Sequence, residues 1–335
     1  MSVALSKPYT RLWSLEAGTM MVVTDMHGNW DIYRRYRDRF VDLQARGQAD
    51  GLIFTGDLIH VDSPKAVDRS VEIVLDVLRL QATYDSAIIY LCGNHELPHI
   101  YGFGLAKGSR EYTPAFEAAL GHGNDRQRVI SLFQSLPFYL RTAAGVALTH
   151  AGAAPSMVDR QIAHKIFTWD HLAQLAQVEV FLAAQDVPTL RRAYAKLSGA
   201  NSYEGLAKYY LAVNGPDDPR YDDLLRGALV TTKADFQYLY VALFTKCEQE
   251  FDLTRYAAMV TTMLQHLSTD YAPQRVLVTG HVTIPNGYQL VTPDHLRLAS
   301  GFHATPPETG LYLLFDAARP VEGIMDLVEG LGSVY

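Results

Sequence analysis

Short apolar runs punctuate the first hundred positions, and a helical pattern follows each of the first two. Residues 20–24 (MMVVT), 51–55 (GLIFT) and 87–91 (AIIYL) are too short and too evenly apolar for amphipathic helices, so they predict buried strands. Between the first two runs, Tyr33, Tyr36, Phe40 and Leu43 recur at near-helical spacing amid Arg and Asp, which predicts an amphipathic helix. Beyond the second run, Ser63-Pro64 predicts a helix start, with Val67, Val71, Val74, Leu75 and Leu78 on one face. Strands joined through helices imply right-handed crossovers and a largely parallel α/β sheet. Sites in such sheets form at the carboxyl ends of the strands.

Between residues 155 and 270 the pattern changes. Residues 162–187 and 189–211, rich in Ala, Leu, Gln and Lys, predict helices; 214–219 (NGPDDP) is a loop, and 221–267 reads as helical again. Strands return with RVLVT, GYQLV, HLRLA and GLYLLF, and the close spacing of three of them predicts an antiparallel meander. With no internal repeat, the chain is expected to form a single domain over 1–335, in which 156–270 is a helical insertion or cap.

Composition narrows the function. Of 335 residues, 48% are hydrophobic and 19% charged, an ordinary globular balance. A net charge of -7 with no basic stripe argues against duplex nucleic acid as a partner. Cys92 and Cys247 alone give no disulfide framework, the N-terminus lacks an apolar signal region, and no run approaches membrane-spanning length. The expectation is a cytoplasmic protein without a membrane partner.

The chemistry lies in five polar segments beside a glycine or after an apolar run: Thr24-Asp25-Met26-His27-Gly28, Thr55-Gly56-Asp57, Cys92-Gly93-Asn94-His95-Glu96, Leu148-Thr149-His150-Ala151-Gly152 and Thr279-Gly280-His281. Strand alternation would send Asp25 and His27 to the same side, and Asn29 is placed to cap the next helix. Asp57, with two carboxylate oxygens, is the natural bridge between two cations. Asn94 adds a neutral oxygen, and His150 and His281 add imidazoles. Cys92 reads as a small buried apolar residue. Two adjacent cations sharing one carboxylate generate hydroxide near neutral pH and clamp a phosphate. They also supply the positive charge that an acidic chain needs for such a substrate.

These segments resemble the calcineurin-like metallophosphoesterase superfamily, and most closely its phosphoprotein phosphatase (PPP) branch. That branch carries GDxHG, GDxVDRG, GNHE, HGG and a late single His; this chain has TDMHGNWD, GDLIHVDSP, GNHE, HAGAAP and GHVTIPNGYQLV followed by LRLASG. The resemblance covers residues 20–155 and 271–316. It implies a metallophosphatase-like αββα sandwich of two mixed sheets flanked by helices. It also implies a dinuclear centre of Mn, Fe, Zn or Ni, with Asp25 and His27 on the first ion, Asp57 bridging, and Asn94, His150 and His281 on the second. His95 takes the general-acid position, with metal-bridging hydroxide as nucleophile. Relatives ending in GHxH place a second late His on the first metal; position 283 here is Thr, so that ligand is missing, as in the PPP branch.

One segment departs from the pattern. The acid that orients the catalytic His is replaced by His60, and the phosphate-clamping Arg by Val61. His60, Asp62 and Glu96 are then the candidates to support His95, and Arg255 and Arg110 the candidates to grip phosphate alongside Asn94. The expected activity is hydrolysis of phosphate monoesters of the serine/threonine or dual-specificity protein phosphatase type. The alternative is cleavage of nucleotide anhydrides or diesters, such as dinucleoside polyphosphates or cyclic nucleotides.

Overall fold

The computed structural model describes residues 3–62 and 66–335, so the Ser63-Pro64 helix start lies outside the described residues. Contacts divide the chain into two units: Met1–Asn94, Leu136–Trp169 and Tyr238–Tyr335 form the first, and His95–Ser135 with Asp170–Gln237 form the second. The helical stretch expected over 156–270 is therefore shared between them.

The large sheets of the first unit use twelve strands: β1 (Ala4–Ser6), β2 (Leu12–Ala17), β3 (Thr19–Val23), β4 (Gly51–Phe54), β5 (Ile88–Tyr90), β6 (Tyr139–Thr142), β7 (Val146–Thr149), β8 (Val276–Thr279), β9 (Tyr288–Thr292), β10 (His295–Leu298), β11 (Leu311–Asp316) and β12 (Leu331–Ser333). One sheet runs β1-β2-β6-β7-β8-β10-β9 and the other β12-β11-β3-β4-β5. Both are mixed, and helices flank them. Met20, Val22, Ile53, Ile89, Leu313 and Phe315 of one sheet join Val146, Leu148, Val276, Val278, Leu296 and Leu298 of the other in a single buried core. This is the two-sheet sandwich expected, with alternate residues of each strand turned inward.

The helix Trp30–Ala45 buries Tyr33, Tyr36, Phe40 and Leu43, the stripe read from the sequence, and the Asn29 side chain caps it by accepting from the Ile32 N–H. The next helix, Ser70–Tyr84, buries Ser70, Ile73, Val74, Asp76, Val77 and Leu80 instead of the expected face; Val74 alone is common to both, and Val67 is exposed. The meander is also corrected. β8 pairs with β10 in parallel, only β9 and β10 are antiparallel, and β11 crosses to the other sheet beside β3. Apolar strand segments carry no mark of their partner.

The long helical runs are broken into short helices by polar caps. Asp170 and Asp252 start new helices at His171–Ala183 and Leu253–Leu267, and Ser202 starts Tyr203–Leu211. In the second unit, Tyr203, Ala207, Leu211, Leu224 and Leu225 form a small core. Arg126, Arg220 and Arg226 line a cleft of about 820 Å³ there, and each already faces a carboxylate of Glu117, Asp223 or Glu179.

Candidate metal centre

Register brings the polar segments of the first unit together. Along β3, β4 and β5, Val23 pairs with Phe54 and Phe54 with Tyr90, all in parallel, so Asp25, Asp57 and Asn94 follow at the same end of one sheet. In the other sheet, Leu148 pairs with Val278, and His150 and His281 leave together. The loops are then stitched by backbone bonds. Met26 and His27 both donate to the Asp57 carbonyl at 3.0 Å, and Gly280 donates to the His150 carbonyl at 3.0 Å.

Strand alternation does not orient Asp25 and His27 as expected, because β3 ends at Val23. Their side chains are aimed by left-handed backbone, with φ of 38° at Asp25, 43° at His27, 52° at Asp57 and 71° at His281. Side chains rarely hold such angles, and clusters of them mark sites where the surroundings impose them.

Two of the imidazoles are each fixed by a bond from one nitrogen to a carbonyl. His27 Nδ1 lies 3.3 Å from the His60 carbonyl, and His150 Nδ1 lies 3.1 Å from the Thr55 carbonyl. A carbonyl accepts only, so Nδ1 carries a proton, and in the neutral ring Nε2 keeps its lone pair. His150 Nε2 then lies 2.9 Å from Asn94 Oδ1, 3.3 Å from Asp57 Oδ2 and 2.9 Å from His281 Nδ1. His27 Nε2 approaches the same Asp57 oxygen at 3.8 Å. The Asp25 carboxylate accepts the His281 N–H through both oxygens, at 3.1 and 3.0 Å.

Burial alone would push the Asp25 carboxyl up, but the imidazoles of His303 and His150 outweigh it and hold the group well below the usual carboxylate range. Burial, reinforced by the neighbouring His150, pushes His281 well below its ordinary value despite Asp57 and Asp25. At neutral pH Asp25 is thus a carboxylate, and His281 is held toward its neutral form.

This set fits metal ions. The ligand atoms of Asp57, His150 and His281 lie within 4.8 Å of one another, as do those of Asp25, His27 and His303. Nitrogen and oxygen donors without thiolate suit first-row divalent ions. Cys92 stays out of the set as a buried thiol against the Gly93 carbonyl. His303 was not singled out from the sequence. Thr283 is exposed, so the late-His position two residues after His281 contributes nothing to the cluster.

The other sequence candidates stand outside these two groups of ligand atoms. His60 is fully buried and reaches the cluster through its carbonyl; Asp62 is half-buried. His95 and Glu96 open the second unit as buried residues, the His95 ring 5.1 Å from that of Tyr112. Arg110, half-buried, lies over the same Tyr112 ring at 5.6 Å. Arg255 is exposed in the first turn of its helix, stacked over Phe251 at 4.5 Å. Sequence reasoning also missed Arg297, whose buried guanidinium donates to the Gly280 carbonyl and to Glu248. Behind it, the Tyr256 hydroxyl joins His295 Nδ1 at 3.0 Å and the Ala153 N–H at 3.2 Å, bracing the His150 loop.

The family model described as calcineurin-like phosphoesterase matches residues 18–217, well over half of the chain. The chain belongs to the calcineurin-like phosphoesterase family. It is a metal-dependent phosphoesterase, and its clustered Asp and His side chains form groups able to hold metal ions. No curated protein sequence matches this phosphoesterase. Among solved structures it is similar to a cold-active protein-tyrosine phosphatase of a psychrophilic Shewanella species, at 15% identity and a TM-score of 0.50, covering 91% of this chain and 77% of that one. It is also similar to a protein serine/threonine phosphatase from Saccharomyces cerevisiae, at 14% identity and a TM-score of 0.41 over 88% of this chain and 72% of that one. A metallophosphoesterase from Sphaerobacter thermophilus matches at 12% identity and a TM-score of 0.33, covering 94% and 92%. At 15% identity the likeness to the Shewanella enzyme is one of fold.

Gly280 gives a local test of this geometry. A Cβ there would run into Asp25 Oδ2 and lie 2.9 Å from Thr24 Cβ. Gly280→Ala is expected to push the Asp25 carboxylate off the His281 N–H. Metal affinity should fall about 10–100-fold, as when other groups that support a ligand are lost. Titration with Mn²⁺ followed by calorimetry checks this; wild-type affinity would show that Asp25 is not needed where it stands.

Proposed function

We propose that this phosphoesterase hydrolyses phosphate monoesters in the manner of a serine/threonine or dual-specificity protein phosphatase, with two cations shared across Asp57. The observation that carries the reading is the Asp57 carboxylate, 3.3 Å from His150 Nε2 and 3.8 Å from His27 Nε2, within reach of an imidazole from each of the two donor groups. Asp25 and His27 are assigned to one ion and Asn94, His150 and His281 to the other. Mn, Fe, Zn and Ni all suit these donors.

When bound, such cations supply Lewis acidity toward phosphate oxygens and a nucleophile from water at neutral pH. The protein's own groups do the rest. His281 and Asp25 are locked to each other through backbone N–H bonds, so the donors are held in place before substrate arrives. His95, next in the chain to Asn94, is assigned as the acid that protonates the leaving oxygen. Asp62 and Glu96 are the remaining carboxylates proposed to orient it. Asn94 is proposed to touch phosphate as well. Arg110 is preferred to Arg255 as the oxyanion contact, because Arg110 and His95 both lie against the Tyr112 ring. No helix among the described residues is long and apolar enough to cross a membrane. Both thiols are buried and outside any disulfide, which suits a phosphoprotein substrate in a reducing cytoplasm.

The nucleotide reading rests on Val61, a buried apolar side chain where the family pattern has a phosphate-clamping arginine. Turnover of p-nitrophenyl phosphate, bis-p-nitrophenyl phosphate, diadenosine tetraphosphate, and phosphoserine and phosphotyrosine peptides with Mn²⁺ separates the readings. The monoesters and phosphopeptides are expected to dominate. Preference for the diester or the anhydride would overturn the monoesterase proposal.

A further inference from the structure

The Asp25–His27 side of the cluster holds one imidazole that the family pattern does not supply. His303 lies 22 residues beyond His281, in the turn Gly301–His303 that follows β10. Its Nδ1 is buried, lies 3.3 Å from Asp25 Oδ1, and lacks the alignment of a hydrogen bond. Its ring centroid stands 4.8 Å from that of His27. A buried imidazole nitrogen aimed at a carboxylate without a hydrogen bond has an unmet polar demand, which a cation between them would satisfy.

The placement is built by specific contacts. Thr24 N donates to Ser300 Oγ at 3.0 Å, and Ser300 N donates to Thr24 Oγ1 at 3.0 Å, so the residue before Asp25 and the start of the His303 turn are clasped from both sides. Gly301, at φ +44°, turns the chain where a Cβ would strike Ile32, and its N–H donates to the Tyr36 hydroxyl at 3.0 Å. Beyond the turn, Ala304 pairs with Ile284 in a short parallel ladder three residues after His281. Val282, Ile284, Ala299 and Ala304 close over that ladder as a small apolar cluster. His303 is thus tied both to the Asp25 loop and to the His281 loop.

We propose that His303 is the fourth protein ligand of the cation held by Asp25, His27 and the shared Asp57. It would replace, from a different loop, the imidazole that GHxH relatives place two residues after the late His and that Thr283 cannot provide here. This rests on the cluster being a metal centre. It makes the two ion sites alike: two imidazoles, one unshared oxygen donor and the shared Asp57 on each. The alternative role for His303 is a proton-transfer group that touches no metal.

The test is metal stoichiometry and affinity, read without turnover. Wild type, His303→Ala and His303→Gln are stripped with chelator, reloaded with Mn²⁺, and followed by elemental analysis, calorimetry and Mn²⁺ paramagnetic resonance; circular dichroism checks folding, and the Gln variant keeps the volume of the turn. Wild type is expected to bind two equivalents with a spin-coupled spectrum. The variants should keep one tight equivalent, bind the second at least about tenfold more weakly, and show an uncoupled spectrum at low loading. Two equivalents at wild-type affinity in a folded variant overturn the His303 assignment alone and favour the proton-transfer role. A wild type that binds no Mn²⁺, Fe²⁺, Zn²⁺ or Ni²⁺ overturns the metal centre itself, and the His303 assignment with it.

Discussion

Asp57→Asn should abolish turnover and strip the protein of metal. The change keeps the shape of the side chain, and Asn tolerates the left-handed backbone at this position, φ 52°, as well as Asp does. The loops therefore have no steric reason to move. What is lost is one negative charge and one oxygen lone pair at the point shared by His150 and His27. Cation stabilisation of phosphoryl charge amounts to several kcal/mol, so the rate should fall about a thousandfold or more. Elemental analysis after dialysis should find less than one equivalent where wild type holds two. An Asp57→Asn variant with full metal and undiminished p-nitrophenyl phosphatase activity would remove Asp57 from the centre.

His95→Ala should leave metal content intact and slow the enzyme in proportion to how poorly the leaving group leaves. A general acid contributes about 10²–10⁴-fold when an alkoxide must be protonated. The p-nitrophenolate ion departs without that help. The predicted loss is therefore about 10²–10⁴-fold on a phosphoserine peptide and about tenfold or less on p-nitrophenyl phosphate. A plot of log kcat against leaving-group pKa should steepen in the variant. Equal losses on both substrates would point to a structural role beside Tyr112. His95→Gln, which fills more of that space, separates the two: it should behave as Ala in the first case and recover in the second.

Much of this was legible in the sequence because strand ends carry their own punctuation. MMVVT before Asp25, GLIFT before Gly56-Asp57 and RVLVT before Gly280-His281 each mark a buried strand closed by a polar donor, and parallel register then forces those donors to one end. The amphipathic helix over Tyr33, Tyr36, Phe40 and Leu43 was equally plain, since its period is set within a few turns. What failed depended on partners far away in the chain. The β8–β10 pairing is parallel although the segments lie close in sequence, because the β9 hairpin is folded onto the outer edge of β10. The face of helix Ser70–Tyr84 was misread because apolar residues at 67, 71, 75 and 78 are as regular as the set that is buried.

His303 shows the same limit within the site. It follows a turn instead of an apolar run, and its approach to Asp25 depends on Thr24 and Ser300, 276 residues apart. A His after Ser-Gly, a few residues beyond an apolar strand, was the available signal. Arg297 was hidden for a different reason: an arginine in HLRLA reads as the outward side of a strand, and only the structure supplies Glu248 and the Gly280 carbonyl as its buried partners.

The claim on which the rest depends is that loops from two sheets hold a pair of cations across Asp57. Anomalous diffraction from crystals loaded with Mn²⁺ tests it most directly. The account predicts two peaks, one on each side of the Asp57 carboxylate, with His27 beside one and His150 beside the other. No peak in that cluster, or a single peak that leaves Asp57 untouched, would contradict it.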